Sequence, residues 1–233
     1  MKRTLALYAL PIVTALAGAA CQGSESSRVV DTPTVETKNT YYAGPRTAIS
    51  IGKFNNASPY MRGIFSDGQD RLGSQARTIL KTHLSETGRF ELLDRENMEA
   101  MQQEANLSGE DLQTIGANYI ISGQVTEFGR KTTGDKQLFG ILGRGKKQIA
   151  YSKVSMNIVD VRTSRVVYSV QGAGEFQLSD REVVGFGSES GYDSTLNGKV
   201  LNLSVTDAVN KLVRGIEGGE WVPDVDAGGG TES

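Results

Sequence analysis

The chain has 233 residues, of which 38% are hydrophobic and 22% charged, and this composition fits one globular domain with flanking tails. Its 25 Lys and Arg are balanced by 27 Asp and Glu, which gives no indication of the clustered basic surface that a nucleic-acid partner needs. Because the chain has only one Cys, an intramolecular disulfide is excluded.

Residues 1–20 have the features of a signal peptide. Two basic residues open the chain, and the apolar stretch 4–17 is too short to span a bilayer as a helix. Small residues then lead to Cys21 as in bacterial lipoproteins, although Gly18 stands where these usually have Leu. We expect a lipid anchor on Cys21, with plain cleavage nearby as the alternative. Gln22, and not Asp, follows the cysteine, and resemblance to the sorting rule of such lipoproteins implies the outer membrane.

Composition divides the rest of the chain into three parts. Residues 21–45 are rich in Ser, Thr and charge, which predicts a lipidated N-terminus followed by an extended tether. Residues 46–221 carry the periodic apolar patterns of a folded body. Residues 222–233 end in a Gly-rich polar stretch, which predicts a flexible tail.

The body begins with a predicted strand, loop and helix. Residues 47–54 alternate and are β-branched, which predicts a strand, and a polar loop with exposed Tyr60 and Phe65 follows. Apolar residues then repeat at spacings of three and four, and Gly88 stands where such a helix would end. This predicted face consists of Leu72, Ala76, Ile79, Leu80, His83 and Leu84.

Further strands and helices follow along the body. Residues 89–93 predict a strand, and Asp94 is predicted to cap a helix whose apolar face is Met98, Met101 and Ala105. Strands are also predicted over 118–128, 152–161 and 166–170, the last two joined by a turn. A final helical stripe consists of Leu201, Val205, Ala208, Val209, Leu212, Val213 and Ile216. Together these elements predict an α/β domain with helices covering one sheet.

Two stretches, 129–151 and 171–197, do not fit such a compact domain. In the second, small or apolar residues alternate with polar ones over arms of about ten residues, as in a transmembrane β-hairpin with lipid outside and water inside. The lipid-facing phase contains Phe176, Leu178, Val184 and Phe186, and the lumen-facing phase contains Glu175, Gln177 and Glu189. A surface hairpin with one face on the core shows similar alternation, and alternation alone favours that second interpretation.

Four segments of the body resemble the CsgG family of curli secretion channels, which are outer-membrane lipoproteins. These segments are Ala117-Asn118-Tyr119-Ile120-Ile121-Ser122-Gly123, Phe139-Gly140-Ile141, Ser155-Met156-Asn157-Ile158-Val159-Asp160-Val161 and Val166-Val167-Tyr168-Ser169-Val170. The resemblance implies an α/β periplasmic domain, a mixed sheet covered by helices, with two amphipathic hairpins that contribute four strands to an oligomeric transmembrane β-barrel. The two stretches that do not fit fall where these hairpins belong.

The resemblance also implies a pore constriction in the loop after the first strand. In the family this loop carries a Tyr and, five residues on, a Phe that an Asn precedes. Tyr60 and Phe65 keep this spacing, whereas Ile64 replaces the amide, which changes how the constriction would be lined. The alternative is that both aromatic residues anchor the loop on the body.

The function that the resemblance implies is a secretion pore subunit of the outer membrane, anchored by lipid on the periplasmic side. It would export unfolded curli-type or related surface polypeptides with periplasmic accessory proteins. Four strands per chain leave two unpaired edges, so neighbours must close the barrel, and 36 strands correspond to about nine copies. Two alternatives remain: a periplasmic lipoprotein that activates a peptidoglycan synthase, and an anchor-assembly pore for a surface adhesin.

An enzyme, a cofactor and a metal site are not expected. His83 is the only histidine and lies on an apolar helix face, where a core residue is the better interpretation. One Cys and one His cannot form a zinc site. The glycine-rich residues 140–145 lack the Lys and Ser/Thr of a phosphate-binding loop, and Asp94, Glu96 and Glu99 suit the start of a helix.

Overall fold

The computed structural model describes residues 32–60, 68–136, 144–181 and 195–224. The elements are β1 (Thr47–Asn56), α1 (Arg71–Thr87), β2 (Phe90–Leu93), α2 (Met98–Ser108), β3 (Tyr119–Lys136), β4 (Arg144–Asp160), β5 (Val166–Arg181) and α3 (Thr195–Glu217). β3, β4 and β5 are much longer than the strands that the sequence predicts, because residues of the two hairpin stretches also pair.

The strands form one mixed sheet in the order β2-β1-β3-β4-β5. β1 pairs in parallel with β2 and with β3, so helices must carry the chain back between these strands. β3, β4 and β5 form an antiparallel meander. The predicted α/β class with a mixed sheet is therefore confirmed.

The core lies between this sheet and the two long helices. The apolar faces predicted for α1 and α3 are buried, apart from Ile79 and Ile216, which are partly buried. Both layers supply fully buried side chains, each contributing about 1.5–3 kcal/mol. The largest are Ile49, Leu80, Leu84, Ile121, Met156, Ile158, Leu201 and Leu212.

Both ends of α1 are fixed by local chemistry. The Asp70 carboxylate accepts from the backbone N–H of Gly73 at 2.8 Å and from that of Asn56 at 2.7 Å, so the helix cap also holds the end of β1. At the other end Gly88 adopts the left-handed conformation with φ of 65°, as its position in the sequence predicts.

α2 begins later than the sequence predicts. Asp94 is not its cap: the helix starts at Met98 after Asn97, which makes no side-chain cap bond. The Asp94 carboxylate stabilises the turn before the helix instead: it accepts from the Glu96 backbone N–H at 3.1 Å, and it binds the Lys81 ammonium at 2.8 Å and the Asn97 side chain at 2.7 Å. The predicted apolar face of α2 is only half-buried, and none of the helix residues is buried.

The last part of the predicted tether is bound to the body. Val35 is 3% exposed and belongs to the core cluster. The Glu36 backbone N–H donates to the Asn210 side chain at 3.0 Å, and the Arg214 guanidinium binds the Glu36 carboxylate. We call residues 32–42 the strap, since they lie across α1 and α3.

Candidate functional site: the extended sheet and the Tyr60 loop

The meander of β3, β4 and β5 continues past the rest of the sheet. β1 stops pairing with β3 at the Asn56 and Val125 pair, whereas β3 and β4 remain paired to Lys136 and Arg144. β5 stays paired with β4 up to Arg181. We call this part, beyond Val125, the extended sheet. In the described part of the chain, one of its edges is β3, with which β1 no longer pairs, and the other is β5.

The two faces of the extended sheet differ. One face carries two rows across the strands, Phe128–Ser152–Gly174 and Arg130–Ala150–Phe176. The other face carries exposed polar groups, including Lys131, Glu175 and Gln177 and the ion pair between Lys153 and Glu127. The alternation places Phe176 on the opposite face from Glu175 and Gln177.

The N-terminal half of α3 covers the first face. Asn197 Oδ1 accepts from the Arg130 guanidinium at 2.8 Å, and the Lys199 ammonium lies 5.2 Å from the centre of the Phe176 ring. Phe176 is partly buried and packs against the core. In this chain by itself, the phenyl ring therefore contacts protein, and its lipid-facing role stays a prediction.

Tyr60 lies where β1 gives way to the loop that was predicted to form the constriction. Its ring is 4.7 Å from that of Phe128, and its hydroxyl oxygen accepts from Asn197 Nδ2 at 2.9 Å. The Asn56 side chain donates to the Tyr60 carbonyl at 2.8 Å. These are the contacts of a loop anchor, and the constriction stays a prediction.

Several residues singled out from the sequence lie outside the described part of the chain. They are Cys21, Ile64, Phe65, Val184, Phe186 and Glu189. The backbone of Leu178 is paired in β5, but its side chain also lies outside that part.

The sequence does not indicate that Asn197 and Arg130 take part in this site. Asn197 joins Tyr60 to Arg130, and these residues are separated by 137 and 67 positions from Asn197 along the chain. An isolated Asn near the start of a helix and an Arg in a strand carry no periodic signal. Only the packing of α3 on the meander brings them together.

The described groups with shifted pKa values lie on the body. Burial raises the pKa of Glu86, but hydrogen bonds from Lys38 and His83 outweigh it, so the net shift is downward. The backbone N–H and hydroxyl of Thr163, in the turn after β4, lower the pKa of Asp160 at the end of that strand. A hydrogen bond to Glu220 raises the pKa of Tyr168. These groups hold the strap, a turn and the C-terminal segment in place.

No described helix combines the length and apolarity needed to cross a membrane. Within the same described ranges, no three His, Cys, Asp or Glu side chains are grouped so as to hold a metal ion.

Comparison with known families identifies this arrangement. The family model described as "Curli production assembly/transport component CsgG" matches residues 34–224. The chain belongs to the CsgG family. It is also 56% identical over 215 residues to the "Putative lipoprotein NMB1126/NMB1164" of Neisseria meningitidis serogroup B, a match that covers 91% of this chain and 96% of that protein.

Solved structures similar to this CsgG-family chain are more distant. A PelC dodecamer from Paraburkholderia phytofirmans is 14% identical, with 72% of this chain and 85% of that chain covered and a TM-score of 0.31. Lipoprotein GNA1162 from Neisseria meningitidis is 15% identical, with 72% and 99% covered and a TM-score of 0.36. Likeness at this level says nothing about activity.

Proposed function

We propose that this CsgG-family lipoprotein is a subunit of an outer-membrane secretion pore that exports unfolded surface polypeptides of the curli type. The observation that carries the proposal is the extended sheet, which continues beyond β1 and, within the described ranges, has no neighbouring strand on either edge. Membership of the CsgG family supports it.

The open edges give a physical reason for assembly. An unpaired backbone N–H or C=O costs several kcal/mol in hydrocarbon, so one copy of the extended sheet is unstable in a membrane. A head-to-tail arrangement places one edge of each copy against the opposite edge of the next, and it repeats until the ring closes. With a second hairpin completed near 171–197, each copy supplies four strands, and about nine copies give 36 strands.

In the proposed pore, α3 lies at the periplasmic border of the membrane part. It covers the row that contains Phe176, so this row would lie at the periplasmic end of the lipid-facing phase, and Leu178 would lie further into the membrane. Between β3 and β4 the sequence Leu138-Phe139-Gly140-Ile141-Leu142 would form the apolar tip of the first hairpin. The body and α3 then remain in the periplasm, where accessory proteins can deliver the polypeptide.

The lipid anchor on Cys21 would fix each copy to the membrane. Thr32 lies eleven positions after Cys21, and a fully extended segment of that length spans at most about 40 Å. Since the strap is bound to α1 and α3, this short connection would hold the body close to the periplasmic surface of the outer membrane.

A second candidate is a periplasmic lipoprotein that activates a peptidoglycan synthase by binding it. The observation that favours it is the docking of Tyr60 on Phe128 and Asn197, which is how a loop anchor packs. An anchor-assembly pore for an adhesin shares the architecture of the first proposal and differs only in the exported polypeptide.

Conductance across a planar bilayer separates these functions. The purified full-length protein is expected to give a large, weakly voltage-dependent conductance, which Tyr60→Ala combined with Phe65→Ala increases by widening the constriction. A synthase activator gives no channels from the unchanged protein. If the double variant forms channels of unchanged conductance, the pore proposal stands and the constriction lies at neighbouring residues, Ile64 or Arg62.

A further inference from the structure

Two glycines of β5 bring α3 unusually close to the edge of the sheet. A Cβ atom on Gly172 would lie 2.0 Å from the Ser204 carbonyl oxygen and 2.5 Å from the Ala208 nitrogen. On Gly174 it would lie 2.7 Å from Leu203 Cβ and 2.8 Å from the Ser204 nitrogen. Only residues without a side chain allow this approach of helix and strand.

The close approach lets two side chains of α3 reach the edge strand. Asp207 Oδ2 accepts from the backbone N–H of Ala173 at 3.0 Å, and Lys211 Nζ donates to the backbone carbonyl of Gln171 at 3.0 Å. Asp207 and Lys211 also form an ion pair with each other at 2.7 Å, four residues apart on the helix. A carboxylate and an ammonium thus each bind the backbone group of opposite polarity.

These backbone groups face away from β4. In an antiparallel strand, every second residue points its N–H and C=O toward the same neighbour, and Gln171 and Ala173 point theirs toward the open edge. The same period, with no irregularity over this part of the β4–β5 register, makes Glu175 and Gln177 point the same way. Among the described residues, the edge therefore has a covered section at 171–173 and an open section at 175–181.

An uncovered edge of this kind is a template for another strand. The edge of β5 is complementary to itself, because two copies related by a two-fold axis can pair their edges in antiparallel fashion. Such a pair would join bodies through a closed two-fold contact and would compete with the head-to-tail contact of a ring. Membrane anchoring would raise the local concentration of copies and so favour this two-fold pairing over ring assembly.

We propose that Asp207 and Lys211 block the edge of β5 at residues 171–173, so that a second copy of this chain cannot pair with it there. Strand addition is then restricted to the section from Glu175 onward. This inference extends the proposed pore, since it names the residues that keep its subunits from pairing through their bodies. The blocking of the edge by Asp207 and Lys211 depends only on the described contacts between α3 and β5.

The test compares the full-length protein in detergent with the double variant Asp207→Ala and Lys211→Ala. Mass photometry is expected to show the unchanged protein as its normal assembly and the double variant as an added species of about twice that mass. Amide hydrogen exchange at residue 173 reports directly on the edge, and it should become faster in the fraction of the variant that has not paired.

Adding Ala173→Pro to the double variant should remove the extra species, because proline has no N–H to donate and is tolerated on edge strands. The matched control, Arg162→Ala with Asp224→Ala, deletes an exposed ion pair of 2.8 Å away from this edge and should not change the mass. If the double variant has the same mass as the unchanged protein and the same exchange rate at residue 173, Asp207 and Lys211 do not block the edge. This comparison is valid for any size of the unchanged assembly. A protein that forms no ring would therefore refute the pore, while the comparison of the two variants would still test whether Asp207 and Lys211 block the edge.

Discussion

The Asn197 side chain donates a hydrogen bond of 2.9 Å to the hydroxyl of Tyr60 and thereby joins the loop after β1 to the start of α3. The same amide accepts from Arg130 on β3, so one side chain links three parts of the chain. The anchoring of this loop and its proposed role as a constriction can be separated by experiment.

Tyr60→Phe removes the hydroxyl and keeps the ring. We expect the free energy of unfolding to fall by about 1 kcal/mol, the usual net contribution of a hydrogen bond, and the channel conductance to stay unchanged. Tyr60→Ala also removes the ring contact with Phe128, so it should cost more stability and increase conductance. Thermal unfolding and bilayer recordings on both variants measure the two effects. An equal conductance for both variants would assign Tyr60 to anchoring alone.

Gly172→Ala tests the close contact between β5 and α3. The new methyl would collide with backbone atoms of α3, which cannot move as a flexible side chain can, so we expect a loss of about 1–3 kcal/mol. Gly198→Ala is the matched control on α3, since its Cβ would meet only the end of the Gln75 side chain at 3.3 Å. Alanine also favours the helix, by up to about 1 kcal/mol. Thermal unfolding should therefore show opposite shifts, and equal shifts would contradict the close approach.

The strap is expected to loosen in acid. The folded-state pKa of Glu86 lies below its ordinary value of 4.5, because bonds from Lys38 and His83 favour the carboxylate. This contribution is thus present above the unfolded pKa and is lost as the pH falls through the lower folded pKa. The protection factor of the Glu36 backbone amide, which corrects for the pH dependence of exchange in an unstructured chain, should fall over that interval, because this amide is bonded to Asn210.

Glu86→Gln provides the comparison for that pH series. The substitution removes the titrating group. The strap of this variant should therefore already be less protected against exchange at neutral pH, and its protection should change less on acidification. If the two proteins show the same pH dependence, Glu86 does not hold the strap.

Cys21→Ser tests the lipid anchor. We expect the substitution to abolish acyl labelling and to leave the protein soluble in the periplasm, since a serine hydroxyl does not replace the thiol in this modification. Labelling with a fatty-acid probe and fractionation of the envelope measure both outcomes. Normal yield of the Ser variant in the outer membrane would show that another feature anchors the chain.

Adjacent positions on β5 test the two faces of the hairpin. Leu178→Lys places a charge on the proposed lipid face and should cost about 2–4 kcal/mol near the bilayer midplane. Gln177→Lys places the same charge on the proposed lumen face, one residue away, and should be tolerated. The yield of assembled, conducting protein compares the two. Equal tolerance would show that this part of β5 is not in the membrane.

The sequence by itself determined the elements whose signal is local. The apolar spacing of α1 and α3 reappears as their buried faces, and Gly88 ends α1 because a left-handed residue is needed there. The turn between β4 and β5 was also predicted. Such patterns depend on neighbours within a few residues, and the α/β class could be inferred from them. The likeness to the CsgG family came instead from the four segments that resemble it.

Tertiary structure alone decided how those elements share their edges and faces. β4 is one strand from Arg144 to Asp160, although the sequence changes character midway, because pairing with β3 and β5 outweighs the weak preference of polar residues. The strap docks through Val35, an isolated apolar residue without a period. The contacts of Tyr60 with Asn197, and of Asp207 and Lys211 with β5, join residues far apart in the chain, and no local pattern encodes such distances.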